Sequence, residues 1–356
     1  MSNIPPHLVK LQANVDPAWL ERRSEEIIDP SLPIIDPHHH LWDIADGRRY
    51  LFDDVLADFQ SGHNVVASVF VEAEAMYDAD RPAEMRPVGE TEFANGVAAR
   101  SASGRYGDIR VCAGIVGHCD IGLGSRVEPV IEAHLKAAGR RFRGIRPTIV
   151  WHEDAQVRPR EIGANLLVQK PSLDAIAVIA RHDLTFDIWA FFTQLDEVVQ
   201  VCKRFPGLKV IVNHVGGPIG IGPYAGHRDD MMKVWRSRVA ALAECPNAFM
   251  KIGGMGMRYA GLRFREQPLP PSSDMLVESW KPYVEFCIET LGANRCMFES
   301  NFPVDKALCS YHVLWNAFKK MAAGCSDAER HQLFFGTAKQ VYRLAVAPKV
   351  DSKASG

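Results

Sequence analysis

Short apolar runs recur along this chain at 32–35, 65–71, 109–116, 143–148, 184–188, 208–212, 248–252 and 295–298. Each leads into a polar or glycine-rich turn. Stretches with apolar residues at helical spacing lie between them, at 90–100, 126–138, 173–181, 195–205, 228–243 and 278–291. Runs of this length read as buried strands, and strands alternating with helices argue for a parallel sheet. Eight repeats predict a closed α/β barrel, a (β/α)₈ TIM barrel, over residues 32–346. The rival, a doubly wound open sheet, is disfavoured because no G-x-G-x-x-G follows the first run. Residues 1–31 read as an N-terminal extension, with a helix over 16–28 started by Asp16 and Pro17. A last helix is predicted from Ser326-Asp327-Ala328-Glu329, which has the form of a capping box. Residues 347–356 read as a flexible C-terminal tail.

Composition narrows the function without naming it. A 356-residue chain with 47% hydrophobic and 24% charged residues has material for one large core. The formal charge of −2 gives no electrostatic reason to expect nucleic acid or an anionic membrane as partner. No apolar stretch approaches membrane-spanning length, and the first residues lack a signal core. Eight cysteines without a C-x-x-C pair predict neither a disulfide framework nor a zinc knuckle. A cytoplasmic protein acting on a small molecule, with homo-oligomerisation open, is the expectation.

Chemistry in a parallel barrel sits at the C-terminal ends of the strands. The first run ends in Asp36-Pro37-His38-His39-His40. Side chains alternate along a strand, so His38 and His40 share one face and His39 takes the other. Two imidazoles on one face suit a divalent ion, acid–base work or an electrophile. The later ends carry Glu72, then Arg143 and Arg146, then Asp187 and Trp189, then Asn213-His214, then Lys251, and last Glu299-Ser300-Asn301-Phe302-Pro303-Val304-Asp305. The runs Gly216-Gly217-Pro218 and Gly253-Gly254-Met255-Gly256 read as rim loops, since no Gly-Lys-Ser/Thr follows to make a phosphate cradle.

Several of these pieces resemble the amidohydrolase superfamily. They are Ile35-Asp36-Pro37-His38-His39-His40-Leu41-Trp42, Phe70-Val71-Glu72-Ala73, Gly144-Ile145-Arg146, the segment 205–216 ending in Asn213-His214-Val215-Gly216, and Phe298-Glu299-Ser300-Asn301-Phe302-Pro303. The nearest likeness is to the amidohydrolase-related branch of sugar-lactone and pyrone or muconolactone lactonases, a group that also holds metal-dependent decarboxylases. The resemblance implies a distorted barrel and, by position, metal or catalytic roles for His38, His40 and His214. Two departures weaken a two-metal centre. The eighth strand ends in Ser300-Asn301-Phe302-Pro303 where the family usually has Ser-Asp-x-Pro, and the fifth strand end has no histidine. An amide cannot act as a general base.

The expected function is therefore a hydrolase that opens a small, carboxylate-bearing lactone by water attack on the ester carbonyl. His38, His40, His214, Glu299 and Asn301 are the catalytic candidates. His38, His40 and His214 hold one divalent ion, zinc or manganese, if the site uses a metal at all. Glu299 or Asp305 is the candidate base. Glu72, Arg143, Arg146, Trp189, Tyr224, Arg258 and Asp305 are the candidates for substrate binding, Arg146 for an anionic group. Glu72 either meets substrate or pairs with an arginine. Two alternatives stay open: metal-dependent non-oxidative decarboxylation or another C–N or C–C cleavage, and a non-catalytic binding barrel.

Overall fold

A computed structural model describes residues 14–44, 48–159 and 162–347. Eight parallel strands follow one another in chain order: β1 (Pro33–His39), β2 (Asn64–Val71), β3 (Arg110–Gly117), β4 (Phe142–Ile145), β5 (Thr185–Ile188), β6 (Val210–Val212), β7 (Ala248–Ile252) and β8 (Cys296–Phe298). Every apolar run of the sequence became a strand, and helices cover the outside, as a (β/α)₈ barrel requires.

The ring closes past the strand ends. His40 N donates to Phe302 O at 2.8 Å and Asn301 N to His38 O at 2.9 Å, so the chain beyond β8 completes the circle with β1. The register of β1 on β2 shifts at Ile34/Ile35 and again between Asp36 and His39. Asp36 explains the second shift. Its carboxylate points outward, accepting from Ser300 N (3.0 Å) and Tyr311 OH (3.0 Å), and the backbone after it must turn inward again.

Two apolar cores result. One lies between sheet and helices. The other fills the barrel, where Ile35, Val69, Val116, Ile211 and Met297 meet Phe335, Val341, Tyr342 and Leu344 of the C-terminal segment. That segment plugs the N-terminal end, leaving the C-terminal end open for chemistry.

The expected helix at 16–28 shrinks to Pro17–Leu20, with Asp16 as its cap. Tertiary partners take the backbone that would have continued it. Asn316 donates to Glu26 O, Lys319 donates to Ile28 O and Asp29 O, and Glu25 accepts from Ser273 N at the start of a distant helix. The capping box forms, with Ser326 and Glu329 bonding reciprocally ahead of Asp327–His331. Helices Phe52–Phe59 and Tyr311–Met321 were not anticipated. All eight cysteines are free thiols. Among the described residues no helix is long and apolar enough to cross a membrane. Residues 1–13 of the expected extension and 348–356 of the expected tail lie outside the described residues.

Candidate active site at the open end of the barrel

The bulge in β1 turns His38 and His40 toward the barrel axis and His39 away from it. His39 is packed between the rings of Phe59 and Phe70, with Nε2 2.8 Å from Ser68 Oγ. Burial holds its pKa down at about 3, so it is a neutral core group.

His40 donates from Nδ1 to Val71 O at 2.8 Å and stacks on Trp42. With the ring proton on Nδ1, its Nε2 is a lone pair. This faces His38 Nε2 at 3.3 Å and Asn301 Oδ1 at 3.3 Å. Burial holds His40 well below the ordinary histidine range, with Arg146 adding to the effect. The same holds for His38, where burial comes first and the Lys251 ammonium second. Arg146 can only donate, and its Nη1 lies 3.2 Å from His38 Nε2. His38 Nε2 is therefore the acceptor, while its Nδ1 lies 2.6 Å from Glu299 Oε2, a contact without hydrogen-bond geometry, and 3.4 Å from Lys251 Nζ.

Glu299 is fully buried between His214 and His38. Its Oε1 accepts from His214 Nδ1 at 2.7 Å and from His214 N at 3.0 Å. His214 turns out of β6 with φ 56° and Val215 follows with φ 48°. Glycine is required opposite this turn. A Cβ on Gly254 would stand 2.2 Å from His214 Nδ1, and one on Gly253 would stand 2.5 Å from Glu299 Cγ. The glycine run read as a rim loop beside substrate is instead the space in which the His214–Glu299 pair sits. Burial lowers the His214 pKa, against the opposing pull of Glu299.

Asn301 holds a left-handed backbone (φ 54°), which asparagine tolerates. Its Nδ2 donates to Asp305 Oδ1 at 3.0 Å, so its oxygen must face His40. Asp305 also accepts from Gly256 N at 3.0 Å, and burial pushes its carboxyl up to about 7. Below the histidines, Lys251 pairs with Asp187 at 2.8 Å, and Tyr342 OH donates to the same carboxylate at 2.6 Å.

These groups open on a cavity enclosing about 650 Å³, mouth included. His40, His214, Arg146, Glu72, Glu74 and Asn301 give it polar contacts, and Trp42, Trp189, Ile149, Met257 and Val304 give it apolar walls. Its size and mixed lining suit one small organic molecule.

A sequence model of the amidohydrolase family matches residues 35–344. The chain belongs to the amidohydrolase family. Among similar proteins, this amidohydrolase is 31% identical to the uncharacterised protein y4mH of Sinorhizobium fredii, over 88% of this chain and 99% of that one. It is 26% identical to an L-fucono-1,5-lactonase of Burkholderia ambifaria, over 87% and 95%. A crystal structure of a Burkholderia multivorans amidohydrolase with bound zinc shares the fold at TM-score 0.65 and 24% identity, covering 87% of this chain and 99% of that one.

Not every sequence candidate reaches the amidohydrolase cavity. Arg143 lies three residues below Arg146, toward the plugged end, where its Nη2 donates to Arg343 O at 3.3 Å. Tyr224 lines a separate cavity and accepts from His152 Nε2 at 3.1 Å. Arg258 lies over the Tyr259 ring, with its guanidinium carbon 4.6 Å from the centroid. Glu299 and Asp305, the candidate bases, are buried behind His214 and Asn301 and do not line the cavity. Glu72 pairs with Arg146: Nε donates to its Oε1 at 2.8 Å and Nη2 to its backbone oxygen. Trp42 was given no site role and Tyr342 was missed; Asp187 and Lys251 were named at their strand ends, but not as a pair joined by Tyr342. Trp42 was visible two residues past His40, whereas Tyr342 arrives from the C-terminal plug and has no local signal. Glu90 was missed too. Its Oε1 accepts from Ala73 N and Ala75 N at 2.9 and 3.0 Å, fixing the loop that carries Glu72 and Glu74.

Amidohydrolase membership raises the question of a metal. His38, His214 and Glu299 offer ligand atoms within 4.8 Å of one another, a group able to hold an ion. The His214 Nδ1–Glu299 Oε1 contact, at 2.7 Å, is a charge-assisted hydrogen bond, whereas Glu299 Oε2 lies 2.6 Å from His38 Nδ1 with no hydrogen-bond partner among the described residues. Two ligands of one tetrahedral zinc, each about 2.0–2.1 Å from it, stand roughly 3.3 Å apart. These contacts are shorter than that spacing, and Glu299 orients the His214 ring. His38 Nε2, His40 Nε2 and Asn301 Oδ1 have a ligand's spacing but carry no negative charge, and the Arg146 guanidinium already stands against them. As arranged, the face made by His38 Nε2, His40 Nε2 and Asn301 Oδ1 does not fit a resident divalent ion.

Proposed function

We propose that this amidohydrolase opens a lactone ring by adding water to the ester carbonyl. The carrying observation is the buried carboxylate–imidazole pair at the cavity wall, Glu299 Oε1 to His214 Nδ1 at 2.7 Å. Held this way, His214 is neutral, in one tautomer, with Nε2 as a base. Water bound at Nε2 gives up a proton as its oxygen bonds to the carbonyl carbon. Arg146, which keeps N–H groups beyond those bonded to Glu72 and His38, stabilises the oxyanion. The ring C–O bond then breaks, and the His214 imidazolium returns its proton to the leaving alkoxide, so water and lactone give a hydroxy acid.

The names of similar proteins support this reading. The Burkholderia relatives are named L-fucono-1,5-lactonases, and a shorter match, 23% identical over 158 residues, is an L-rhamnono-gamma-lactonase of Scheffersomyces stipitis. Arg146 shares its charge with Glu72, which favours a neutral polyol ring over a strongly anionic one. The test is a panel of sugar 1,5- and 1,4-lactones and pyrone carboxylates followed by mass spectrometry, where turnover adds one water. A folded protein that hydrolyses none of them sinks the proposal. Release of carbon dioxide from aromatic acids instead would favour the decarboxylase alternative.

A further inference from the structure

We infer that Arg146 takes the place a divalent ion would occupy in this barrel, and that Arg146 and Asn301 together make the site a poor cation binder. The inference rests on geometry alone and goes beyond the choice of substrate. Three lone pairs converge at the barrel mouth: His38 Nε2, His40 Nε2 and Asn301 Oδ1, with His40 Nε2 3.3 Å from each of the others. Acceptors do not attract acceptors, so a positive group must face them. Arg146 supplies it, with Nη1 3.2 Å from His38 Nε2.

The guanidinium is not a side chain that has wandered in. Its Nε and Nη2 are both held by Glu72, through the carboxylate and the backbone oxygen, and the residue is only 8% exposed. Nor is the amide free to turn over. Asp305 accepts from Asn301 Nδ2 at 3.0 Å and so keeps the neutral oxygen, rather than the NH₂, toward His40. An ion bound to His38 Nε2 would have to displace Nη1 and then sit within a few ångströms of a fixed positive charge. A carboxylate at 301 would offset that charge, and an amide does not. Asp305 is thus a positioning residue for Asn301, and Arg146 is a permanent organic cation in a cation's site.

The experiment is titration of chelator-stripped, full-length protein with Co²⁺, read by visible absorption and calorimetry rather than turnover. Wild type is expected to show no ligand-field band that His38→Ala removes. Arg146→Gln with Asn301→Asp is expected to bind one equivalent at least about a hundredfold more tightly, since one positive unit charge near the ion vanishes and one negative unit charge appears. His38→Ala in that background should abolish the gain. Tight, stoichiometric Co²⁺ binding by wild type, lost in His38→Ala, overturns the inference. A double variant that folds by circular dichroism yet gains less than about threefold also overturns it. Should the double variant not fold, Asn301→Asp alone is expected to gain about tenfold, and no gain counts against the inference. Lactone turnover is not read in any arm, so failure here is separable from failure of the lactonase proposal.

Discussion

Replacing Glu299 with glutamine changes one atom type and one charge in a site with no room to rearrange. The carboxylate is fully buried, takes His214 Nδ1 and His214 N on one oxygen at 2.7 and 3.0 Å, and faces His38 Nδ1 with the other at 2.6 Å. A glutamine must turn its NH₂ toward one of the two imidazoles. Turned to His214, it demands a lone pair on Nδ1 and moves the proton to Nε2, where the base should be. Turned to His38, it moves that ring's proton to Nε2 and breaks the contact with Arg146 Nη1. Loss of an orienting carboxylate behind a histidine base costs roughly a thousandfold or more in kcat, about 4 kcal/mol. The pH profile separates this from a loss of packing. In wild type, burial lowers the His214 pKa and Glu299 opposes the shift. The base is the neutral ring, so kcat/KM rises with pH along a limb centred below the ordinary histidine value and is flat above it. Without the negative charge the imidazolium loses its support. The limb of Glu299→Gln therefore moves to still lower pH while its plateau falls. Steady-state lactone hydrolysis from pH 4 to 9, beside a thermal melt, reads both effects. A plateau within about threefold of wild type, or a limb displaced upward, would refute the dyad.

Other sites give sharper contrasts. His39→Ala empties a core position and should cost about 3 kcal/mol of stability, seen as a lowered melting temperature, with kcat per folded molecule unchanged. A large fall in kcat would put His39 in the site. Lys251→Met strands the Asp187 carboxylate inside the barrel at a cost of about 3–5 kcal/mol, and adding Asp187→Leu should recover much of it. Equal stability of Lys251→Met and wild type would remove the ion pair from the account. Asp305 is raised to about 7 in the fold from 3.8, so its contribution to stability is full below the unfolded value and lost as pH rises through 7. Urea unfolding of Asp305→Asn should therefore gain on wild type between pH 4 and 8, by up to about 4 kcal/mol. A difference that does not change with pH contradicts that sign.

What the sequence disclosed, and what it hid, follows from the range of the forces involved. Each strand is a local apolar run, so all eight were legible. His38, His40 and His214 stood out because each follows such a run directly, where a barrel places its chemistry. Alternation correctly separated His39 from its neighbours, although the bulge at Asp36 needed Ser300 and Tyr311, more than 260 residues away. Depth along the barrel axis was invisible. Arg146 read as the better candidate, but Arg143 stayed beside it among the binding candidates, and three residues of strand, at about 3.3 Å each, separate the mouth from the plugged end. Glu299 looked like a base because it is a carboxylate near the missing aspartate. Only the folded barrel shows both its oxygens turned to histidines. Helix 16–28 failed because Asn316, Lys319 and Ser273 outbid its local hydrogen bonds, and nothing near residue 20 announces them.

The most direct test of the account is ring opening of an uncharged sugar 1,5-lactone by chelator-treated wild-type protein, followed by the proton released per ring opened. The account predicts turnover that persists after chelation and disappears in Glu299→Gln. Turnover that appears only when zinc or manganese is restored, or none at all from folded protein, would contradict it.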